Sequence, residues 1–85
     1  MRNEWDEAKD EANRAKHGLS LADAERLDWD AAPVPDLRRD YGETRLVQFG
    51  RIDGRLHVCV FVFRGESRRI ISLRKANSRE ERRYG

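Results

Sequence analysis

Apolar positions change period as the chain is followed from its start. Trp5, Ala8, Ala12 and Ala15 recur at steps of three and four, which places them on one stripe of a helix. The spacing predicts a helix over about residues 6–16, with Asp6 as N-cap and Gly18 as the stop. Ser20 stands three residues ahead of Asp23, so a second helix opens there, with Leu21, Ala24 and Leu27 or Asp28 on its turns, and fades near Trp29. Residues 1–4 leave room for a short strand.

Pro33 and Pro35 end the helical region, and residues 36–42 are polar enough for a loop or a frayed edge strand. The period then becomes two. Over residues 44–52, Arg45, Val47, Phe49 and Arg51 alternate with Leu46, Gln48, Gly50 and Ile52. Asp53-Gly54 suits a two-residue hairpin, so residues 55–64 return antiparallel. From Val58 to Phe63 that strand is apolar on both faces, which predicts a central position. Gly65-Glu66 turns into residues 67–75, and Ser78 with Glu81 has capping-box spacing for a last helix. The expected fold class is α+β: two N-terminal helices packed on a three- or four-stranded antiparallel sheet, with a short C-terminal helix. Residues 1–85 are expected to form one domain, since 85 residues do not divide into two cores.

Composition narrows the function classes. The longest apolar run has six residues, Val58 to Phe63, against roughly 20 for a spanning helix, and the first residues carry no apolar signal region, so a cytoplasmic protein is expected. Cys59 is the only cysteine, which excludes an internal disulfide, and with only two histidines a self-contained structural zinc site is not expected. The net charge of +2 conceals an asymmetry. Residues 1–43 carry seven Lys/Arg against twelve Asp/Glu, whereas residues 44–85 carry eleven against four. The basic half can attract a polyanion, although charge alone does not distinguish DNA, RNA or an acidic protein.

RNA cleavage without a metal requires a base for the ribose 2′-proton, cations around the pentacoordinate phosphorus and an acid for the leaving 5′-oxygen. The chain offers each type. Arg45, Arg69 and Arg74 are expected on adjacent strands, either as phosphate ligands or as solvated edge residues. Arg69 and Arg74 are five apart, so on a regular strand they face opposite sides unless a bulge or the strand end reorients one. His17 ends the first helix, where the helix dipole favours its cationic form; it is a proton-transfer candidate or simply a C-terminal helix residue. Glu80 and Tyr84 share one face of the last helix with Ala76, as an acid and hydroxyl pair or as a docking face, and Tyr84 could stack on a base. His57 reads as a packed or edge histidine and Cys59 as core.

Together these residues resemble one family over almost the whole chain. Trp5-Asp6, Lys9, Asn13, Lys16-His17-Gly18 and Ser20, then Tyr41-Gly42-Glu43 with Arg45, then Arg69-Ile70-Ile71-Ser72 with Arg74 and Ala76, then Glu80 and Tyr84 are similar to the BrnT family, the toxin halves of bacterial type II toxin–antitoxin pairs. The resemblance implies a compact relative of the RelE fold, endoribonuclease activity that arrests growth, and no metal cofactor. It also implies a BrnA-type antitoxin that dimerises through a ribbon-helix-helix domain, so that the complex is an autorepressing heterotetramer touching DNA only through the antitoxin. Carried over, the family's basic positions fall on Lys9, Lys16, Arg45, Arg69 and Arg74, and its polar ones on His17, Ser72, Glu80 and Tyr84. Arg45, Arg69, Arg74, His17 and Glu80 are the expected catalytic set, with Lys9, Lys16 and Tyr84 contacting RNA. Two positions depart from the pattern: Leu21 stands where Phe is frequent, and Glu81 where a basic residue is usual, which lowers positive charge near the expected RNA path. The last helix is expected to lack a second turn to hold Glu80, because the chain stops after Tyr84 and Gly85.

Two further readings stay open from sequence. A non-catalytic basic module could bind an antitoxin and act in promoter control. A DNA-binding domain is disfavoured, because the most basic helix has only about seven residues and no helix-turn-helix neighbour.

Overall fold

The computed structural model describes residues 1–37 and 42–85. Tyr41 of the family motif, and most of the polar segment expected at residues 36–42, lie outside the described residues.

Each element forms where local chemistry favours it. Strand β1 (Arg2–Glu4) leads into helix α1 (Glu7–His17). The Asp6 carboxylate accepts the Lys9 N–H at 3.1 Å, and at the other end Gly18 takes φ 73° while its N–H donates to the Arg14 carbonyl. The second expected helix is a 3-10 helix, Leu21–Arg26, opened by a capping box between Ser20 and Asp23. Its buried residues Leu21 and Ala24, with Leu27 beyond its end, follow steps of three, the period of a 3-10 helix and not of an α-helix. Strand β2 (Val34–Pro35) is followed by the meander β3 (Leu46–Ile52), β4 (Arg55–Arg64) and β5 (Ser67–Lys75), and helix α2 (Ser78–Tyr84) closes the chain. Its capping box is formed by Asn77 with Glu80 and not by Ser78 with Glu81 as the spacing suggested, because Asn77 keeps an extended backbone and its side chain accepts the Glu80 N–H.

The sheet has five strands in the order β1-β5-β4-β3-β2, where three or four were expected, and it is mixed because β1 pairs parallel to β5. β4 is central as predicted. Asp53 (φ 51°) and Gly54 (φ 81°) supply the two positive-φ residues of the β3–β4 hairpin. The arginine strands are not adjacent, as the sequence reading had them: β4 separates β3 from β5, and Arg45 stands one residue before β3.

One irregularity reorganises a face. Val60 pairs with Ser72 but Phe61 pairs with Ile70, so Ile71 is an extra residue, a β-bulge. Ile70 and Leu73, three apart, therefore both point into the core with Leu21, Leu27, Cys59 and Phe61. The same bulge puts Arg69, Ser72 and Arg74 opposite Val62, Val60 and Val58, on the other face. That outer face carries a smaller cluster of Leu56, Val58 and Ala76 with Val47 and Phe49 against it.

Helix α1 does not bury the alanine stripe. Ala8, Ala12 and Ala15 are exposed, and the residues it buries are Asp10 and Asn13. The helix packs beside β5, and the two side chains that it buries bond to main-chain groups of Leu21 and Leu73. Asp10 accepts from Ser20 Oγ (2.9 Å) and from the Leu21 N–H (2.7 Å), which holds the start of the 3-10 helix. The Leu21 N–H is the main reason that the Asp10 carboxyl lies below the usual carboxylate range.

Candidate functional site

A hollow of about 470 Å³ lies on the outer face of the sheet. Its floor is apolar: Val47 and Phe49 of β3 and Val58 and Val60 of β4. Its walls carry the chemistry. The last turn of α1 brings Lys16 and His17, β5 brings Ser72 and Arg74, α2 brings Glu80 and Tyr84, and the segment from Val34 to Leu37 closes the opposite side with Asp36.

Arg74 and Glu80 form a bidentate pair, with Nη1 to Oε1 at 2.8 Å and Nη2 to Oε2 at 2.9 Å. Glu80 Oε1 also accepts the Asn77 N–H at 2.9 Å, so the carboxylate that completes the α2 capping box also sets the guanidinium. This arrangement depresses the Glu80 pKa, first through the Arg74 hydrogen bond, and keeps the group ionised. No second helical turn is needed to hold Glu80, because its partners come from β5 and the cap. Tyr84 is anchored by stacking on Phe49, with ring centroids 3.9 Å apart and planes 14° apart. Glu81, the acidic departure, lies 3.7 Å from Arg55 Nε, and its Oε1 accepts the Leu56 N–H at 3.4 Å, so it ties α2 to β4.

His17 is half-buried, and its pKa is lowered by desolvation, then by Lys16 and Arg74. The direction is opposite to the one expected from the helix dipole, and an imidazole held below its ordinary value of about 6.5 is mainly neutral at pH 7. A neutral imidazole beside two cations can accept a proton at the place where they hold an anion.

The structure brings Lys16, His17, Arg74, Glu80 and Tyr84 to one hollow and places the other expected residues outside it. Lys9 lines a smaller adjoining hollow of about 210 Å³ with Ala12, Asn13 and Ile71. Arg69 faces Val62 and lies 3.9 Å from Glu4, and Arg45, one residue before the Leu46–Phe61 pair, stands at the same level across β4. Four residues of β4 separate this row from Arg74, roughly 14 Å along the strand. His57 is buried, with Nδ1 2.7 Å from the Arg55 carbonyl, and Cys59 is fully buried with its thiol pushed up to about 12 by desolvation; neither reaches the hollow. Sequence reasoning passed over Asp36 and the apolar floor; the alternation of Val47 and Phe49 with core positions was the available signal. Among the described residues, no three His, Cys, Asp or Glu side chains gather as a metal site, and no helix is long and apolar enough to cross a membrane.

Residues 5–80 match the family model described as BrnT, the ribonuclease toxin of type II toxin–antitoxin systems. No curated protein matches the chain.

Proposed function

The chain belongs to the BrnT family of ribonuclease toxins of type II toxin–antitoxin systems, and from that premise we propose that it is a metal-independent endoribonuclease whose reaction takes place in the hollow on the outer face of the sheet. The observation that carries the reading is the meeting of a neutral His17 with Lys16 and with an Arg74 set by Glu80. His17 takes the proton from a ribose 2′-hydroxyl, and the 2′-oxygen forms its bond to phosphorus. The P–O5′ bond breaks, leaving a 2′,3′-cyclic phosphate, and the 5′-oxygen takes a proton from Lys16 or solvent. Arg74 and Lys16 stabilise the charge that develops on the phosphoryl oxygens. Glu80, held ionised, acts on Arg74 and moves no proton. Tyr84 and the apolar floor receive a base, while Arg45 and Arg69, further along β4, and Lys9, beside α1, hold flanking phosphates.

The wider reading follows from the family. The protein arrests growth from the cytoplasm and is a compact, single-domain relative of the RelE fold. A BrnA-type ribbon-helix-helix antitoxin neutralises it in a heterotetramer that reaches DNA only through the antitoxin. Purified protein should shorten labelled RNA equally with and without EDTA, and Arg74→Ala should abolish both cleavage and growth arrest while keeping the wild-type circular dichroism spectrum. Protection of RNA without cleavage would favour a binding module, EDTA sensitivity would reject metal independence, and a fully toxic Arg74→Ala would reject the site.

A further inference from the structure

Strand β1 stops at the Glu4–Arg69 pair, and no described strand continues along that edge of β5. Asn13 of α1 takes the vacant place. Its Nδ2 donates to the Leu73 carbonyl at 2.9 Å, the Leu73 N–H donates to its Oδ1 at 3.1 Å, and Nδ2 also donates to the Leu19 carbonyl at 2.8 Å. The N–H and C=O of one strand residue point to the same side, so an amide, with donor and acceptor side by side, satisfies both where an ionised carboxylate, which only accepts, satisfies one. Asn13 is buried, and Leu73 lies between Ser72 and Arg74. His17 follows Asn13 by one helical turn on the same face.

We propose that Asn13 is a positioning residue for RNA cleavage: its amide clamps the last turn of α1 to β5 at Leu73, and so sets where the His17 imidazole stands relative to the phosphate held by Arg74. The inference rests on the roles assigned to His17 and Arg74 under Proposed function. Asp10, three residues earlier, is an internal control, since its hydrogen bonds tie the same helix to Ser20 and Leu21 and its ion pair is with Arg14, none of them on β5. The charged and titratable groups that line the two hollows with His17 are Lys9 and Lys16 on its own helix, Arg74 on β5, Glu80 and Tyr84 on α2, and Asp36 across the larger hollow. Burial and the two cations depress its pKa, so releasing the clamp returns it toward the free value of about 6.5.

The test uses Asn13→Ala and Asn13→Ser in the full chain, with Asp10→Asn as control. It reads RNA cleavage against pH and the His17 titration by NMR. Both Asn13 variants should lose about tenfold or more in kcat with KM within about twofold. The acid limb of the rate profile and the His17 midpoint should both rise. Asp10→Asn should lower the melting temperature without moving either. Folded Asn13 variants with wild-type kcat and midpoint would overturn the proposal, as would equal shifts in Asp10→Asn, which would reduce Asn13 to a stability role. If Asn13→Ala does not fold, Asn13→Ser, which leaves a polar group at this buried position but lacks the reach of the amide, decides. Wild-type protein that leaves RNA intact would instead reject the ribonuclease reading, and the His17 midpoint then decides the positioning by itself.

Discussion

Glu80 has a double assignment: it closes the α2 cap through the Asn77 N–H and fixes Arg74 through two hydrogen bonds. Glu80→Gln keeps the shape but removes the charge and one acceptor. Because the Arg74 side chain is 33% exposed, water screens the pair, and the expected loss in folding stability is only about 1 kcal/mol. The effect on function should be larger: a displaced guanidinium lowers kcat by about tenfold to a hundredfold, measurable in single-turnover RNA cleavage. The pH dependence has a definite sign. Glu80 has a depressed folded-state pKa, so its contribution to stability is present above the ordinary carboxylate value of about 4.3 and is lost as pH falls through the lower folded value. Acid unfolding of Glu80→Gln should therefore be less steep than that of wild type, and an identical curve would mean that the pair adds nothing.

Among elements, the strands and their turns were legible because the rules that make them act over a few residues. The Asp53-Gly54 hairpin, the bounds of β4 and β5, and the caps of α1 and of the 3-10 helix follow from neighbouring residues, whereas the α2 cap lies one residue earlier than its spacing suggested. The chain segment beside β3 was not legible, because nothing local says that it lies on that strand's edge. There the Asp28 N–H donates to the Arg51 carbonyl at 3.1 Å, and a Cβ on Gly50 would collide with the Asp28 carbonyl oxygen and press on the Leu27 side chain. Backbone cannot rotate away as a side chain can. Gly50→Ala should cost about 2–3 kcal/mol and lower the melting temperature by roughly 10–20 °C, followed by far-UV circular dichroism. A change under about 3 °C would mean that this segment is held only loosely against β3.

For the whole molecule, the acidic first half and basic second half do not remain apart. Glu4 reaches Arg69, and α1 of the acidic half delivers Lys9 and Lys16 to the edge of the basic outer face. If Lys16 and Arg74 share the scissile phosphate while Arg45, Arg69 and Lys9 each neutralise a flanking one, a plot of log affinity against log salt should have a slope of about −3 for single-stranded RNA, measured by fluorescence anisotropy. A slope near zero would remove the phosphate contacts from the proposal. By itself the sequence determined the α+β class, the meander, the caps of the first two helical elements, the family and the charged residues other than Asp36 that meet in the hollow, since periodicity, turn chemistry and motif spacing are local properties. Only the tertiary structure decided the parallel β1, the side that α1 buries, the bulge that brings Arg69 and Arg74 to one face, and the downward shift of the His17 pKa. Each of these depends on partners far apart in the chain, such as Asn13 and Leu73 sixty residues away, and on burial, which exists only once those partners have met.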